Sequence, residues 1–467
     1  MKNTYQDLIE QTFFFPQEGY EVIENELHFN KIPLMDIIKQ YGTPLKLSYL
    51  PKISDQINKA KTMFKVAMAK VNYEGNYTYC YCTKSSHFSF ILEEVLKSDA
   101  HIETSSAYDI EIIKQLFDEK KISKSNYIIS NGFKREPYLE GITELMKNGF
   151  NIVPILDNKS ELDYYISEIK DSKDINIGIR IASEEEPSFQ FYTSRLGIRH
   201  KDIKEFYKTK IKPNKNIKLK MLHFFINTGI RDTTYYWTEL LKALNIYCDL
   251  KTICPELEGL NIGGGLPFKN SLGFEFEYEY MIEEIVAQIK DYCNSRGVKE
   301  PNIFTEFGSF TVAESGVNIY SIIDVKEQND TEMWYMIDNS FITTLPDSWA
   351  INQRYILLAI NHWNKEFQRT NLGGMTCDSL DYYNSEAHVN QIFLPKVDNS
   401  NNEEPLYIAF FNTGAYQESL SGYGGIKHCL IPSPKHIVVD KDENGEYYTK
   451  LFSKEQSSKS MLKILGY

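Results

Sequence analysis

The sequence predicts an α/β protein built as a (β/α)8 barrel followed by a C-terminal β domain. Three observations carry this expectation. From about residue 45 to 315, short apolar β-rich runs alternate with amphipathic stretches, as repeated β-α units around a parallel sheet require. Eight such runs can be counted, the number that closes a TIM-like barrel. The last third then turns to short strand-like runs between polar turns, with few long helical periods.

Taken in order, residues 1–44 hold a short apolar run and a Pro/Gly-marked boundary, and are expected to join the β domain. The barrel is assigned to 45–315, with strands at 77–82 (YTYCYC), 99–103, 127–130 (YIIS), 152–156 (IVPIL), 175–181 (INIGIRI), 218–226 (KLKMLHFFI), 258–262 and 302–306 (NIFTE). Helices are expected at 54–71, where Ile57, Ala60, Phe64, Ala67 and Val71 share one face, and at 107–119, with Ile110, Ile113 and Phe117. The strings NIYSIIDV, WYMID, LYIAFF and HIVVD supply strands of a β-barrel or sandwich domain over 316–467.

Composition narrows the function classes. The 467 residues are 42% hydrophobic and 25% charged, ordinary globular material with a sizeable core. A net charge of −13 without Lys/Arg runs argues against nucleic acid as a partner. No basic leader opens the chain and no apolar stretch reaches the roughly 18–20 residues that span a bilayer, so a cytoplasmic protein without a membrane partner is expected. The seven cysteines are scattered, lack CxxC spacing or His partners for zinc, and read as reduced thiols. No metal-ligand cluster is visible, so a Mg2+ requirement has no support in the sequence.

Barrel enzymes carry their chemistry at the carboxyl ends of the strands. Lys84 follows the first run, Glu103 closes the second, Arg180 lies in the fifth, His223 and Asn227 mark the sixth, Gly263-Gly264-Gly265 follows the seventh and Glu306 ends the eighth. A lysine in a crowded interior has a depressed pKa and can form a Schiff base with an aldehyde cofactor; it can equally be a solvated strand-end lysine. Three glycines form a tight turn whose bare N–H groups approach a phosphate, or simply a turn. Glu306 can keep a pyridine nitrogen protonated, or serve as a salt-bridge partner. Their joint occurrence at one barrel mouth favours the catalytic reading.

Over residues 43 to 440 these features resemble the fold-type III pyridoxal-phosphate decarboxylases, which include ornithine, diaminopimelate and biosynthetic arginine decarboxylases. YCTK resembles the family's cofactor-lysine motif at Lys84, IETSSAYDI its segment at Glu103, and IGIRI supplies Arg180. TSRLGI (193–198) resembles its S-K-F-G stretch, NIGGGLP its phosphate-binding glycines, and TEFG its EPG segment, with Glu306 facing the ring nitrogen and Gly308 close to the cofactor. In the C-terminal third, TCDS places Cys377 where relatives have the acid that reprotonates the substrate carbon, and Asp378 where an acid meets the distal amine across a dimer. Asp347 matches another distal-group acid and Tyr416 a residue near the phosphate.

The resemblance therefore implies an alanine-racemase-like barrel, pyridoxal 5'-phosphate as cofactor, and a homodimer. LPDSWAIN, TCDS and GAYQE resemble the biosynthetic arginine branch, implying decarboxylation of L-arginine to agmatine and CO2 in polyamine and spermidine biosynthesis. Ornithine, lysine, diaminopimelate and a carboxylated polyamine such as carboxynorspermidine are the alternative substrates, and a catalytically silent relative is the alternative class. The chain also departs from the family pattern. Phe225 stands where relatives stack a histidine on the cofactor, Thr228 follows Asn227 where they read Gly-Ser, and Ser309 replaces an arginine.

Overall fold

The computed structural model describes residues 3–9, 12–169, 174–183, 194–329, 332–383, 392–397 and 404–467. It divides into two compact units, one of Ile53–Pro267 with Phe276–Thr311, the other of Met1–Lys52, Phe268–Glu275 and Val312–Tyr467.

The first unit is the predicted barrel. Its eight strands are Tyr77–Cys82, His101–Thr104, Ile128–Ser130, Ile152–Leu156, Ile175–Ala182, Ile217–His223, Gly259–Asn261 and Asn302–Phe307. Each pairs in parallel with the next, and Asn302–Phe307 pairs back onto Tyr77–Cys82, closing the ring. Cys80, Ile129, Val153, Ile155, Met221 and Phe304 pack together as a buried cluster, filling space with β-branched and sulfur side chains.

Local sequence explains the surrounding helices. Helix Pro51–Lys70 buries Ile53, Ile57, Ala60, Phe64 and Ala67, a single apolar stripe at helical spacing. Helix Ala107–Asp118 starts at a capping box in which the Ser106 hydroxyl accepts from Asp109 N and the Asp109 carboxylate accepts from the Ser106 N–H. This cap, two residues past the second strand, fixes where the helix begins.

The second unit is a sheet domain. Its longest strand, Gly316–Asn329, pairs antiparallel with Leu45–Tyr49, Glu332–Ile337 and Tyr407–Phe411. Strand Lys435–Lys441 runs parallel to Leu45–Tyr49 and antiparallel to Tyr447–Ser453. The chain thus contributes to this sheet both before and after the barrel. A separate three-stranded sheet, Tyr20–Ile23, Glu26–Phe29 and Ile32–Pro33, packs its Leu27 and Phe29 into the same core as Ile319, Leu358 and Phe410. Among the described residues no helix is long and apolar enough to cross a membrane.

Candidate active site

The carboxyl ends of the barrel strands gather the polar residues predicted from the sequence. Lys84 lies on the single turn Thr83–Ser85 directly after the first strand, with Nζ 3.7 Å from Glu103 Oε2 on the second. The turn must pass close to the eighth strand. A Cβ on Gly308 would sit 2.0 Å from Ser85 Oγ, so glycine there is what lets the lysine-bearing turn dock. Gly308 therefore acts on Lys84's placement.

One expectation is corrected here. The Lys84 side chain is 48% exposed, at the barrel mouth after a one-turn excursion past the strand end and not in a crowded interior. The desolvated partner is Glu103. Fully buried, its carboxyl is pushed up to about 7 by burial, against the pull of the Lys84 cation and with a further push from Glu306.

Glu306 is held from two sides. Asn131 Nδ2, just past the third strand, donates to both oxygens at 2.9 and 2.8 Å, and Asn261 Nδ2, ending the seventh, donates to Oε1 at 2.5 Å. Carboxylate oxygens of Glu103 and Glu306 and the Cys82 sulfur all lie within 4.8 Å of one another. His223 Nδ1 approaches Glu306 Oε1 at 3.9 Å, but burial drives the imidazole down to about 4, so it is neutral at neutral pH and forms no ion pair.

The glycine turn is sterically obligatory. Gly263 and Gly265 have φ of 73° and 94°, and added Cβ atoms at 263, 264 and 265 would meet Phe224 O, Glu306 O and Gly229 Cα at 2.7, 2.4 and 2.7 Å. Beside it, the Thr228 hydroxyl is buried without a hydrogen-bond partner among the described residues. Arg180, within the fifth strand, places Cζ 5.8 Å from the ring centroid of Phe225, which is exposed. Ser309 begins the short helix Ser309–Val312. Thr193, the first residue of TSRLGI, lies outside the described residues.

The remaining predicted residues lie in the sheet unit, in two groups. Asp347 Oδ2 accepts from Gln417 Nε2 at 2.7 Å while Asp347 N donates to Gln417 Oε1 at 3.2 Å, and burial raises the Asp347 carboxyl despite that bond. Tyr416, at φ 65°, precedes helix Gln417–Leu420. In the second group, Asp378 Oδ1 accepts from Leu380 N at 2.8 Å, and Cys377 is exposed with Sγ 3.9 Å from Cys429 Sγ. Asp381, which the sequence reading missed, organises this turn: it accepts from Phe341 N at 2.8 Å, Thr376 N at 2.9 Å and Thr376 Oγ1 at 2.7 Å. The reading also missed Asn131, Asn261 and the pair His87–Asp109, 3.0 Å apart. Of these, only Asp109 carried a signal, as the capping acid three residues after Ser106.

A barrel mouth that sets an amine beside a carboxyl, a second carboxylate on two amides and an all-glycine turn suits an aldehyde-bearing pyridine phosphate. The family model of the pyridoxal-dependent decarboxylases, pyridoxal binding domain, matches residues 52–313, and the chain belongs to that family. The chain is 22% identical to a biosynthetic arginine decarboxylase of Prochlorococcus marinus (strain AS9601), covering 94% of this chain and 85% of the relative. It is 23% identical to that of Bacteroides thetaiotaomicron, over 87% of this chain and 81% of the relative. Among solved structures, the biosynthetic arginine decarboxylase of Campylobacter jejuni superposes with a TM-score of 0.82 at 20% identity, covering 99% of this chain and 90% of that one. Diaminopimelate decarboxylase from M. jannaschi superposes at 0.78 and 18% identity, covering 96% and 98%.

The cofactor of this family is pyridoxal phosphate, and the residues present fit it. The partnerless Thr228 hydroxyl beside the glycine turn, which admits no Cβ, suits a phosphate. Glu306, aimed by Asn131 and Asn261, offers a carboxylate for the ring nitrogen.

Burial of Glu103 gives a pH dependence that is open to direct measurement. Its folded pKa of about 7 exceeds its ordinary 4.5, so between these values the folded protein keeps a proton that the unfolded chain has released. Stability of the cofactor-free protein should therefore fall as pH rises through that window. Glu103→Gln cannot ionise, and it should be more stable than the parent by up to about 3 kcal/mol at about pH 8 and little different at about pH 4. Urea unfolding of both proteins at the two pH values checks this, and parallel pH profiles would refute it.

Proposed function

We propose that this protein decarboxylates L-arginine to agmatine and carbon dioxide, working as a cytoplasmic homodimer. The carrying observation is that Lys84, Glu306 and the 263–265 glycine turn meet at one barrel mouth. Arginine is supported by the similarity to biosynthetic arginine decarboxylases over 94% of the chain and by the strings LPDSWAIN, TCDS and GAYQE. The dimer is supported by the resemblance of TCDS to a segment that relatives lend across an interface. A cytoplasmic setting is supported by seven free cysteines.

Bound pyridoxal phosphate supplies an electron sink for the pair released when the carboxyl group leaves. Lys84 would hold the cofactor through its aldehyde, and Glu103 keeps a titratable carboxyl 3.7 Å from the Lys84 Nζ. Glu306 holds a proton on the ring nitrogen. Gly263, Gly264, Gly265 and Thr228 would hold the phosphate, and Phe225, with the Arg180 guanidinium against it, would offer an aromatic surface to the ring. His223, neutral at working pH, contributes shape and a hydrogen-bonding nitrogen. Cys377, lent across the dimer as the resemblance implies, returns a proton to the α-carbon.

For the distal guanidinium, the geometry favours Asp378 over Asp347. Asp347 is engaged by Gln417 and its carboxyl is raised by burial, whereas Asp378 stands at an accessible turn with Oδ1 anchored by Leu380 N. A carboxylate fixed on one side suits a planar fork of donors. Asp378→Ala should lower kcat/KM for arginine by roughly 10–100-fold, the loss of one charge-assisted hydrogen-bonded pair. Carbon dioxide release measured across arginine, ornithine, lysine and meso-diaminopimelate tests both points. Unchanged arginine turnover in the variant would remove Asp378 from the reading, and preference for another substrate would replace arginine.

A further inference from the structure

Two segments of the sheet unit set His428 and Cys429, which the proposed reaction does not use, against Cys377 and Asp378, which it does. Cys377 on the TCDS turn and His428 and Cys429 on the turn His428–Leu430 each place a ligand atom within 4.8 Å of the others. The two sulfurs are 3.9 Å apart although the residues are separated by 52 positions. Asp378 Oδ2 lies 3.8 Å from His428 Nε2. All of these side chains reach solvent.

The separation is informative. Two thiolates on one tetrahedral zinc, each about 2.3 Å from the ion, stand about 3.8 Å apart, whereas a disulfide draws sulfurs to about 2 Å. Both turns are fixed by their surroundings. Asp381 accepts from Thr376 N and Oγ1 immediately before Cys377, and buried Lys427 donates to Thr343 O at 3.1 Å immediately before His428. Cys429 and Leu430 both have φ of 52°, a left-handed pair without glycine. Side chains in such a backbone cost roughly 1–2 kcal/mol each, and positions of this kind gather at ligand clamps.

We propose that Cys377, His428 and Cys429 bind a thiophilic divalent cation of the zinc class, with Asp378 as the oxygen donor beside His428. Occupancy withdraws Cys377 from proton delivery, so the metal inhibits decarboxylation. Two sulfurs and an imidazole select zinc over magnesium or calcium, which prefer oxygen. On binding, each thiol releases one proton to solvent, the imidazole binds neutral, and no electron is transferred. The binding half is independent of the catalytic reading; the inhibitory half rests on Cys377 as the proton donor proposed above.

The test uses full-length holoenzyme with reduced thiols, titrated with zinc chloride against a colorimetric chelator, alongside Cys429→Asn and His428→Ala. Asparagine tolerates the left-handed backbone at 429, so this variant removes the thiolate while keeping the turn. Wild type should bind one zinc per chain and release two protons, and Cys429→Asn should bind more than about 100-fold more weakly, beyond what a supporting residue contributes. Zinc should suppress carbon dioxide release by wild type and leave Cys429→Asn, with its ordinary basal activity, unaffected. Equal zinc affinity in wild type and Cys429→Asn, or no uptake by wild type, overturns the site. So does a pair of thiols that titrates only after reductant is added, which identifies a disulfide. If zinc binds through Cys429 while Cys377→Ala still decarboxylates at full rate, the site stands and both the inhibition and the catalytic role of Cys377 fall.

Discussion

Lys84→Ala should reduce carbon dioxide release from arginine by roughly 10²–10⁴-fold, the range that a positioned group in direct contact with the reacting centre commands. The prediction depends on there being no substitute amine. Lys134, past the end of the third strand, is a buried barrel lysine, but it is engaged at 3.0 Å by Glu161 and donates at 2.6 Å to Ile155 O. Burial lowers its pKa, yet its ion pair and carbonyl acceptors hold it in place. The residues proposed for the phosphate and the ring are untouched by the substitution, so the variant should still take up cofactor while losing the visible-edge absorbance of the lysine-linked form. Turnover within about tenfold of wild type would remove Lys84 from the mechanism.

The sequence made the barrel legible because its strands are short apolar runs bounded by helices with clear stripes, as in Pro51–Lys70. Lys84, Glu103 and Glu306 could be located because each ends or closely follows such a run, where barrel side chains meet, and Arg180 because it lies within one. What surrounds them was not. Asn131 follows the third run and Asn261 lies in the seventh, and only the closed ring brings both amides onto Glu306. The exposure of Lys84 depends on one turn past a strand end, which periodicity does not resolve. In the sheet unit, Asp381 was hidden behind the more conspicuous Cys377 and Asp378, although the hydrogen bonds it accepts from Phe341, Ile342 and Thr376 shape their turn. Cys377 and Cys429 are too distant in sequence for any spacing motif to connect them.

Glu306→Gln should separate electrostatics from folding more cleanly than any other substitution at the barrel mouth. The glutamine is nearly isosteric, but its amide cannot hold a proton on a pyridine nitrogen as a carboxylate does, so kcat should fall by about 10²–10³, the scale for removing one preorganised electrostatic group. The structural cost should be small for a specific reason. Asn131 now donates to both Glu306 oxygens, while its own Oδ1 is buried without a partner among the described residues. Turning the Asn131 amide over lets that oxygen accept from the new Nε2, and Asn261 keeps the remaining oxygen. Stability should therefore change by about 1 kcal/mol or less, the net worth of a rearranged hydrogen bond. Steady-state kinetics and urea midpoints on the same preparations test the pair of expectations. Preserved kcat would release Glu306 from the ring-nitrogen role, whereas a large loss of stability would show that its contacts with Asn131 and Asn261 chiefly hold the barrel mouth together.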